Sequence, residues 1–119
     1  MSAEAVVQRQ LDAYNAHDLE ALLATYAPDA EQFEHPDKLL ARGTEQIRAR
    51  FVSRFQEPNL HARLLQRIVI GNTVIDSELV TRTFPGGPGQ LELVAIYEVQ
   101  HEQIARAWFI FGAKTISAK

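Results

Sequence analysis

The sequence has no cysteine among its 119 residues, so it can form no disulfide, thiolate nucleophile or cysteine-ligated metal centre. It also has little excess charge: the formal net charge is −3, whereas nucleic-acid-binding domains usually carry a basic surface. No apolar run is long enough to span a bilayer. The N-terminal residues lack the charged start and apolar stretch of a signal peptide. These absences predict a soluble, cytoplasmic protein without a nucleic-acid or membrane partner.

The length and the apolar content of the chain fit a single domain. Apolar residues make up 46% of the sequence, which is enough for a core in a chain that buries about two thirds of its unfolded surface. No internal repeat, low-complexity tract or linker interrupts it. These features predict a single domain over residues 1–119.

Two kinds of periodicity divide the chain, helical in the first half and strand-like in the second. Three helices are predicted, one capped by Ser2, one capped by Asp18 and one that opens at Thr44. Turn signals, including the glycine- and proline-rich run 85–89, separate the predicted strands. The extended segments are 30–35, 39–41, 60–70, 74–84, 91–100 and 104–111.

This order of elements predicts an α+β fold, in which three N-terminal helices wrap a cone-shaped, curved antiparallel sheet. A cone of this kind encloses a cavity. The opposite, outer face of the last strand carries Arg106 and Trp108, a mixture of charge and aromatic surface that favours a homodimer contact. Alternation along the last two strands puts mainly apolar side chains on the cavity face: Leu91, Leu93, Ala95, Tyr97 and Val99, then Ala105, Ala107, Phe109 and Phe111.

Six short motifs follow one another along the chain: VVQR (6–9), NAHDL (15–19), YAPDA (26–30), EHP (34–36), RGTEQIR (42–48) and FGAK (111–114). In this order they resemble the nuclear transport factor 2-like superfamily, and within it the ketosteroid isomerases and the SnoaL-like polyketide cyclases. No one motif is specific, but the ordered series covers essentially the whole chain. The resemblance implies a cystatin-like cone with an apolar internal pocket for a small hydrophobic carbonyl compound.

The resemblance also points to positions that could carry chemistry. A ketosteroid isomerase uses an aspartate base, with a tyrosine and a protonated aspartic acid as donors to the enolate oxygen. In this chain the base position is His35, the tyrosine position is Gln10 with Tyr14 one helical turn away, and the aspartic acid position falls near Ala95. We therefore do not expect classical ketosteroid isomerase activity. A related isomerase, cyclase or dehydratase that needs no cofactor is the first hypothesis.

In that hypothesis His35 is the general base, because an imidazole with an ordinary pKa of about 6.5 accepts a proton at neutral pH. Gln10, Tyr14 and Tyr97 would donate hydrogen bonds to the developing enolate oxygen. Four phenylalanines would line the substrate pocket, with Tyr97 beside them: Phe51, Phe55, Phe109 and Phe111.

Other polar groups have patterns that favour structural roles. The histidines are too widely spaced for a recognisable metal motif, so no metal is predicted. Asp76 and Glu78 alternate on a strand opposite the face of Leu79, and we expect them in solvent or at an interface. A group of arginines has helical spacing and is expected on a solvated helix face: Arg42, Arg48, Arg50 and Arg54.

Two further functions stay open beside the enzyme. One is a non-catalytic binder of a small hydrophobic molecule in the same pocket, and the other is a dimeric interaction domain whose pocket is incidental. In both, His35 is a buried or rim histidine whose ring nitrogens bond to backbone groups or to Glu31.

Overall fold

A computed structural model describes residues 1–117, so residues 118 and 119 of the predicted domain lie outside the described part. Three helices precede most of one six-stranded sheet with the strand order β2-β1-β6-β5-β4-β3. All neighbouring strands are antiparallel except β1 and β6, which are parallel. The predicted α+β architecture is confirmed. Its elements are α1 (Ala3–Asn15), α2 (Leu19–Ala24), β1 (Tyr26–Glu34), β2 (Lys38–Arg42), α3 (Gly43–Arg54), β3 (His61–Ile70), β4 (Thr73–Phe84), β5 (Gly87–Gln100) and β6 (Gln103–Ile116).

The first two helices begin where the sequence predicts, because side chains cap them. The Ser2 hydroxyl accepts a hydrogen bond from the backbone N–H of Ala5 at 3.1 Å. The Asp18 carboxylate accepts one from the N–H of Ala21, also at 3.1 Å. Helix α1 then packs over β3, β4 and β5, and α3 packs over β1 and β2. The two helices therefore cover opposite halves of one sheet face. Within residues 1–117, no helix has the length and apolar character needed to cross a membrane.

The face of the sheet under the helices carries the core. Along β5 and β6 the predicted alternation is confirmed for five buried residues: Ala95, Tyr97, Val99, Ala107 and Phe109. On the outer face Trp108 stacks on Phe33, with ring centroids 5.9 Å apart, and Arg106 pairs with Glu98. The homodimer expected through this face stays a prediction.

One core position differs from its prediction. Ala105 was expected on the cavity face, but it is only half-buried, and Ile104 is fully buried instead. The register between β5 and β6 shifts at Glu98 and Val99, so that Val99 faces Ile104 and Glu98 faces Arg106. This bulge leaves Ala105 without a partner and reverses the alternation on either side of it.

The orientation of β4 contradicts its prediction. Val74, Asp76, Glu78 and Val80 are all buried under the helices, so the expectation of solvent or an interface for the two carboxylates is wrong. Both faces of β4 carry apolar side chains, and hydropathy alone does not choose between them. Val74 and Val80 pack into the core, and the two acids between them on the same face are buried with them.

Several strands are longer than predicted. Strand β1 begins at Tyr26, which the sequence pattern assigned to the second helix, and β6 continues to Ile116. The turn between β4 and β5 is limited to Pro85 and Gly86, because residues 87–89 pair with β4. Gly89 is buried there, and a Cβ atom on it would overlap the carbonyl oxygen of Thr115. Glycine therefore allows β5 and β6 to approach closely at this point.

Candidate functional site

A cavity lies between the helices and the concave face of the sheet. It takes side chains from α1, α3 and five of the strands. Its volume is about 40 Å³, counted as positions open to the centre of a water molecule, which is room for a few waters. Phe111 lines the cavity and is 41% exposed. A ligand larger than a few atoms would need neighbouring side chains to shift.

Most residues predicted to form a site line this cavity: Gln10, Tyr14, Phe51, Tyr97, Phe109 and Phe111. Phe55 is not among the lining residues. Its ring packs edge-on against Tyr14 with centroids 5.6 Å apart and stacks on His17 at 5.9 Å. Phe55 therefore supports the cavity wall from behind.

The structure does not bring His35 to the cavity. His35 is exposed in the turn between β1 and β2, where its backbone N–H donates to the carbonyl oxygen of Phe109 at 2.9 Å. The inward position of β1 is taken by Gln32, which is fully buried, while Phe33 faces outward onto Trp108. The alternation of the strand gives residue 35 the outward parity of residue 33. The alternative contact with Glu31 is also not seen, because that carboxylate pairs with arginines.

Glu78, on β4, also lines the cavity. Burial and, to a smaller extent, the negative charge of Asp76 raise the pKa of the Glu78 carboxyl to about 7, against the opposing charge of Arg67. That arginine is committed to Asp76, with Nε and Nη2 at 2.7 and 2.9 Å from the two carboxylate oxygens. Among residues 1–117, Glu78 itself pairs with no basic side chain. It is therefore a buried carboxylate that exchanges its proton near neutral pH.

Three tyrosines surround the same space. Burial raises the pKa of Tyr14 and that of Tyr26 to about 12, and it raises the pKa of Tyr97 well above its ordinary value. All three stay protonated at neutral pH and can donate a hydrogen bond. The Tyr26 hydroxyl is buried and has no hydrogen-bond partner among residues 1–117. A ligand oxygen in the cavity would find donors already in place.

Two arginines on α3 also line the cavity. The prediction of a solvated helix face is wrong for Arg50 and Arg54. It fits Arg48, which pairs with the exposed Glu20, whereas Arg42 is exposed but lies in β2 and pairs with Glu31. The guanidinium carbons of Arg50 and Arg54 lie 5.2 and 5.3 Å from the centre of the Phe51 ring. Burial lowers the pKa of Arg50 to about 10 and also lowers that of Arg54.

The sequence held a signal for these arginines. Ile47 and Phe51 form the buried stripe of α3, and Arg50 and Arg54 each follow one of them by three residues. Side chains three apart share a helix face, so this spacing already places both arginines beside the apolar stripe. Within residues 1–117 no cluster of three or more histidine, aspartate or glutamate side chains could hold a metal ion.

The molecule is therefore an α+β domain whose helices and curved sheet enclose a small cavity with polar groups in its wall. Comparison with known proteins identifies its family. Residues 7–107 match the family model of the SnoaL-like domain. The chain therefore belongs to the SnoaL-like domain family. No curated protein sequence matches the chain.

Solved structures agree with this assignment. An uncharacterised cystatin-fold protein from Novosphingobium aromaticivorans is 26% identical, covers 92% of this chain and 98% of its own, and gives a TM-score of 0.84. A "putative polyketide cyclase" from Sinorhizobium meliloti is 24% identical, with coverages of 92% and 99% and a TM-score of 0.73. An NTF2-like protein of unknown function from Cytophaga hutchinsonii is 12% identical, with coverages of 94% and 91% and a TM-score of 0.77. The resemblance to the nuclear transport factor 2-like superfamily is confirmed.

Proposed function

We propose that this protein is a cofactor-independent enzyme that moves a proton next to the carbonyl group of a small molecule held in the central cavity. The observation that carries the proposal is Glu78. It is a buried carboxyl without an ionic partner among residues 1–117, its pKa is raised to about 7, and it lies in a cavity lined by protonated tyrosines. In this proposal Glu78 takes the role that sequence analysis gave to His35.

The chemistry needs one acid–base group and one set of hydrogen-bond donors. The ionised Glu78 carboxylate takes a proton from the carbon beside the carbonyl, and the C–H electron pair becomes a carbon–carbon double bond. The carbonyl electron pair moves to oxygen, which becomes an enolate. Tyr14, Tyr26 and Gln10 line the same cavity and can donate hydrogen bonds to that oxygen. Glu78 then returns the proton, to the same carbon or to another.

A carboxyl whose pKa is near the working pH suits both halves of this cycle. At pH 7 about half of the molecules carry the ionised base, and the protonated form is acidic enough to give the proton back. An exposed carboxylate with an ordinary pKa would be almost always ionised but a weaker base. The name polyketide cyclase of the Sinorhizobium meliloti neighbour supports a carbonyl-containing substrate.

Hydrogen–deuterium exchange at the carbon beside a carbonyl tests the proposal directly. Levulinate, methyl levulinate and cyclohexanone would be incubated with the protein in D₂O, and the loss of proton signal would be followed by NMR. We expect catalysed exchange that Glu78→Gln reduces by about 10²- to 10⁴-fold and that His35→Ala leaves unchanged. The rate should rise with pH through about 7, as Glu78 loses its proton.

The outcomes separate the three functions. Exchange that survives in Glu78→Gln and disappears in His35→Ala would return the base role to His35. Ligands that raise the melting temperature of both wild type and Glu78→Gln, without exchange in either, would favour the non-catalytic binder. Neither binding nor exchange would favour an interaction domain.

A further inference from the structure

We infer that the substrate of the proposed reaction is a small carboxylic acid, whose carboxylate is held by Arg50 and Arg54 at the α3 end of the cavity. This inference rests on the proposed function for the reacting end of the substrate. It assigns a binding role to two residues that proton transfer itself does not need.

Both guanidinium groups belong to residues that line the cavity. Arg50 and Arg54 are one helical turn apart on α3, and both lie over the ring of Phe51. The Arg50 group is also 5.8 Å from the centre of the Phe109 ring and donates a hydrogen bond to the Gln32 side chain at 2.5 Å. These aromatic and amide contacts hold the Arg50 guanidinium at the cavity wall.

No acidic side chain in residues 1–117 forms a salt bridge with either arginine, and the carboxylate of Glu57, which pairs with Arg82, acts on Arg54 only from a longer distance. Elsewhere in the fold the buried and half-buried arginines have acidic partners, such as Asp76 for Arg67 and Glu57 for Arg82. Arg50 and Arg54 have none, and the Nε of Arg54 is buried without a hydrogen-bond partner. Two like charges one turn apart repel each other, and burial makes that repulsion costlier. A bound anion removes both costs at once.

The positive end and the basic end of the cavity are separate. Arg50 and Arg54 come from α3, whereas Glu78 comes from β4 in the other half of the sheet. The charges that act on Glu78 are Asp76 and Arg67. A carboxylate held by α3 would therefore leave the Glu78 base available at the opposite wall.

The chemistry of the pair selects a carboxylate. Guanidinium groups bind planar, two-oxygen anions through paired N–H donors, and the small volume of the cavity favours a compact anion. Combined with the proton transfer, this describes a small acid with a carbonyl group further along its chain. Inorganic phosphate and sulfate present the same charge with a tetrahedral shape, so they serve as competing probes.

Binding of matched acids and neutral analogues tests the inference. The pairs are levulinate with methyl levulinate and phenylacetate with phenylacetamide, and the dissociation constants would be measured by calorimetry and by melting temperature. We expect both acids to bind wild type at least tenfold more tightly than their neutral partners. Arg50→Gln and Arg54→Gln should abolish that preference for acids. The control is Arg48→Gln, which should leave the preference intact, because Arg48 is on the same helix but pairs with Glu20.

A loss of binding is informative only if the variants fold. Because the arginine pair repels itself, Arg54→Gln should melt at the same temperature as the ligand-free wild type or higher, which circular dichroism would check. Equal binding of acid and neutral analogue, or an unchanged preference in the folded Arg50→Gln and Arg54→Gln variants, would overturn the inference. Phosphate and sulfate that bind more tightly than the acids would overturn the choice of a carboxylate.

The same experiment distinguishes this inference from the proposed function. Glu78→Gln should keep the preference for acids, because the carboxylate is held at the other wall. If acids bind through the arginines but no exchange occurs, the inference stands and the proposed reaction fails. If exchange occurs with methyl levulinate as fast as with levulinate, the reaction stands and the inference fails.

Discussion

Replacement of Glu78 by glutamine should stabilise the protein, and the gain should depend on pH. Burial raises the pKa of this carboxyl from 4.5 to about 7 in the folded chain, so the folded state holds a proton that the unfolded state releases. Between pH 4.5 and about pH 7 the free energy of unfolding must fall as the pH rises, because the folded state binds more protons than the unfolded state. Each tenfold difference in proton affinity is worth about 1.4 kcal/mol. The charge of Glu78 therefore costs about 3 kcal/mol at pH 8 and above.

Glutamine has nearly the same shape but never ionises. The Glu78→Gln variant should match wild type in its free energy of unfolding below pH 4.5, and should become more stable by about 3 kcal/mol at pH 8. Urea unfolding between pH 4 and pH 9 measures this difference directly. The matched control is Glu45→Gln on α3, because the side chain of Glu45 is 82% exposed and should give a difference near zero at every pH.

The shape of the pH curve decides the argument. A gain that is constant from pH 4 to pH 9 would mean that packing or hydrogen bonding, and not the charge, separates the two side chains. A gain that grows towards acid pH would reverse the sign of the linkage and refute the reasoning. A loss of stability at pH 8 would mean that the carboxylate is compensated by interactions that the structure does not show.

Three other changes have predictable effects. Gly89→Ala should cost about 1–3 kcal/mol in urea unfolding, because the new Cβ would overlap the carbonyl oxygen of Thr115; an unchanged midpoint would contradict the close approach. Asp76→Asn should cost about 3 kcal/mol, because it leaves the buried charge of Arg67 unpaired, and a loss below about 1 kcal/mol would show that water reaches that pair. Ile110→Glu, on the exposed outer face, should convert the expected dimer to a monomer in sedimentation at micromolar concentration; a monomeric wild type would end the dimer hypothesis.

Local signals in the sequence were enough for most of the fold. Ser2 and Asp18 carry the cap chemistry that begins α1 and α2, and both caps form as predicted. The alternation of β5 also placed Ala95 and Tyr97 correctly, because one face of that strand is apolar throughout, whereas the other mixes Glu92 and Glu98 with apolar residues. Wherever local pattern and burial agree, the element could be predicted from its own residues.

The candidate site was harder to predict because several of its polar groups are buried, although the local sequence pattern indicates exposed positions. On β4 both faces are partly apolar, so only contact with the helices decides that Glu78 points inward. The position of His35 depends on the end of β1 and on the parity that Phe33 sets by packing on Trp108. Neither is visible in the sequence, since both are consequences of packing between distant strands. The spacing of Arg50 and Arg54 along α3 already indicated that they lie beside the apolar stripe. Their charge, taken alone, suggested that they face solvent.

The unfavourable groups of this domain gather in one cavity. A carboxyl that resists ionisation, a tyrosine hydroxyl without an acceptor and two arginines without an acidic partner among residues 1–117 all face the same small space. Outside it, buried charges such as those of Asp76 and Arg67 are matched. Sequences that obey local rules elsewhere usually break them where a ligand acts. One small keto acid could place its carbonyl oxygen near the tyrosine hydroxyl, neutralise the arginines with its carboxylate, and give Glu78 the proton of the carbon beside its carbonyl group. A single ligand would then account for all of these departures together.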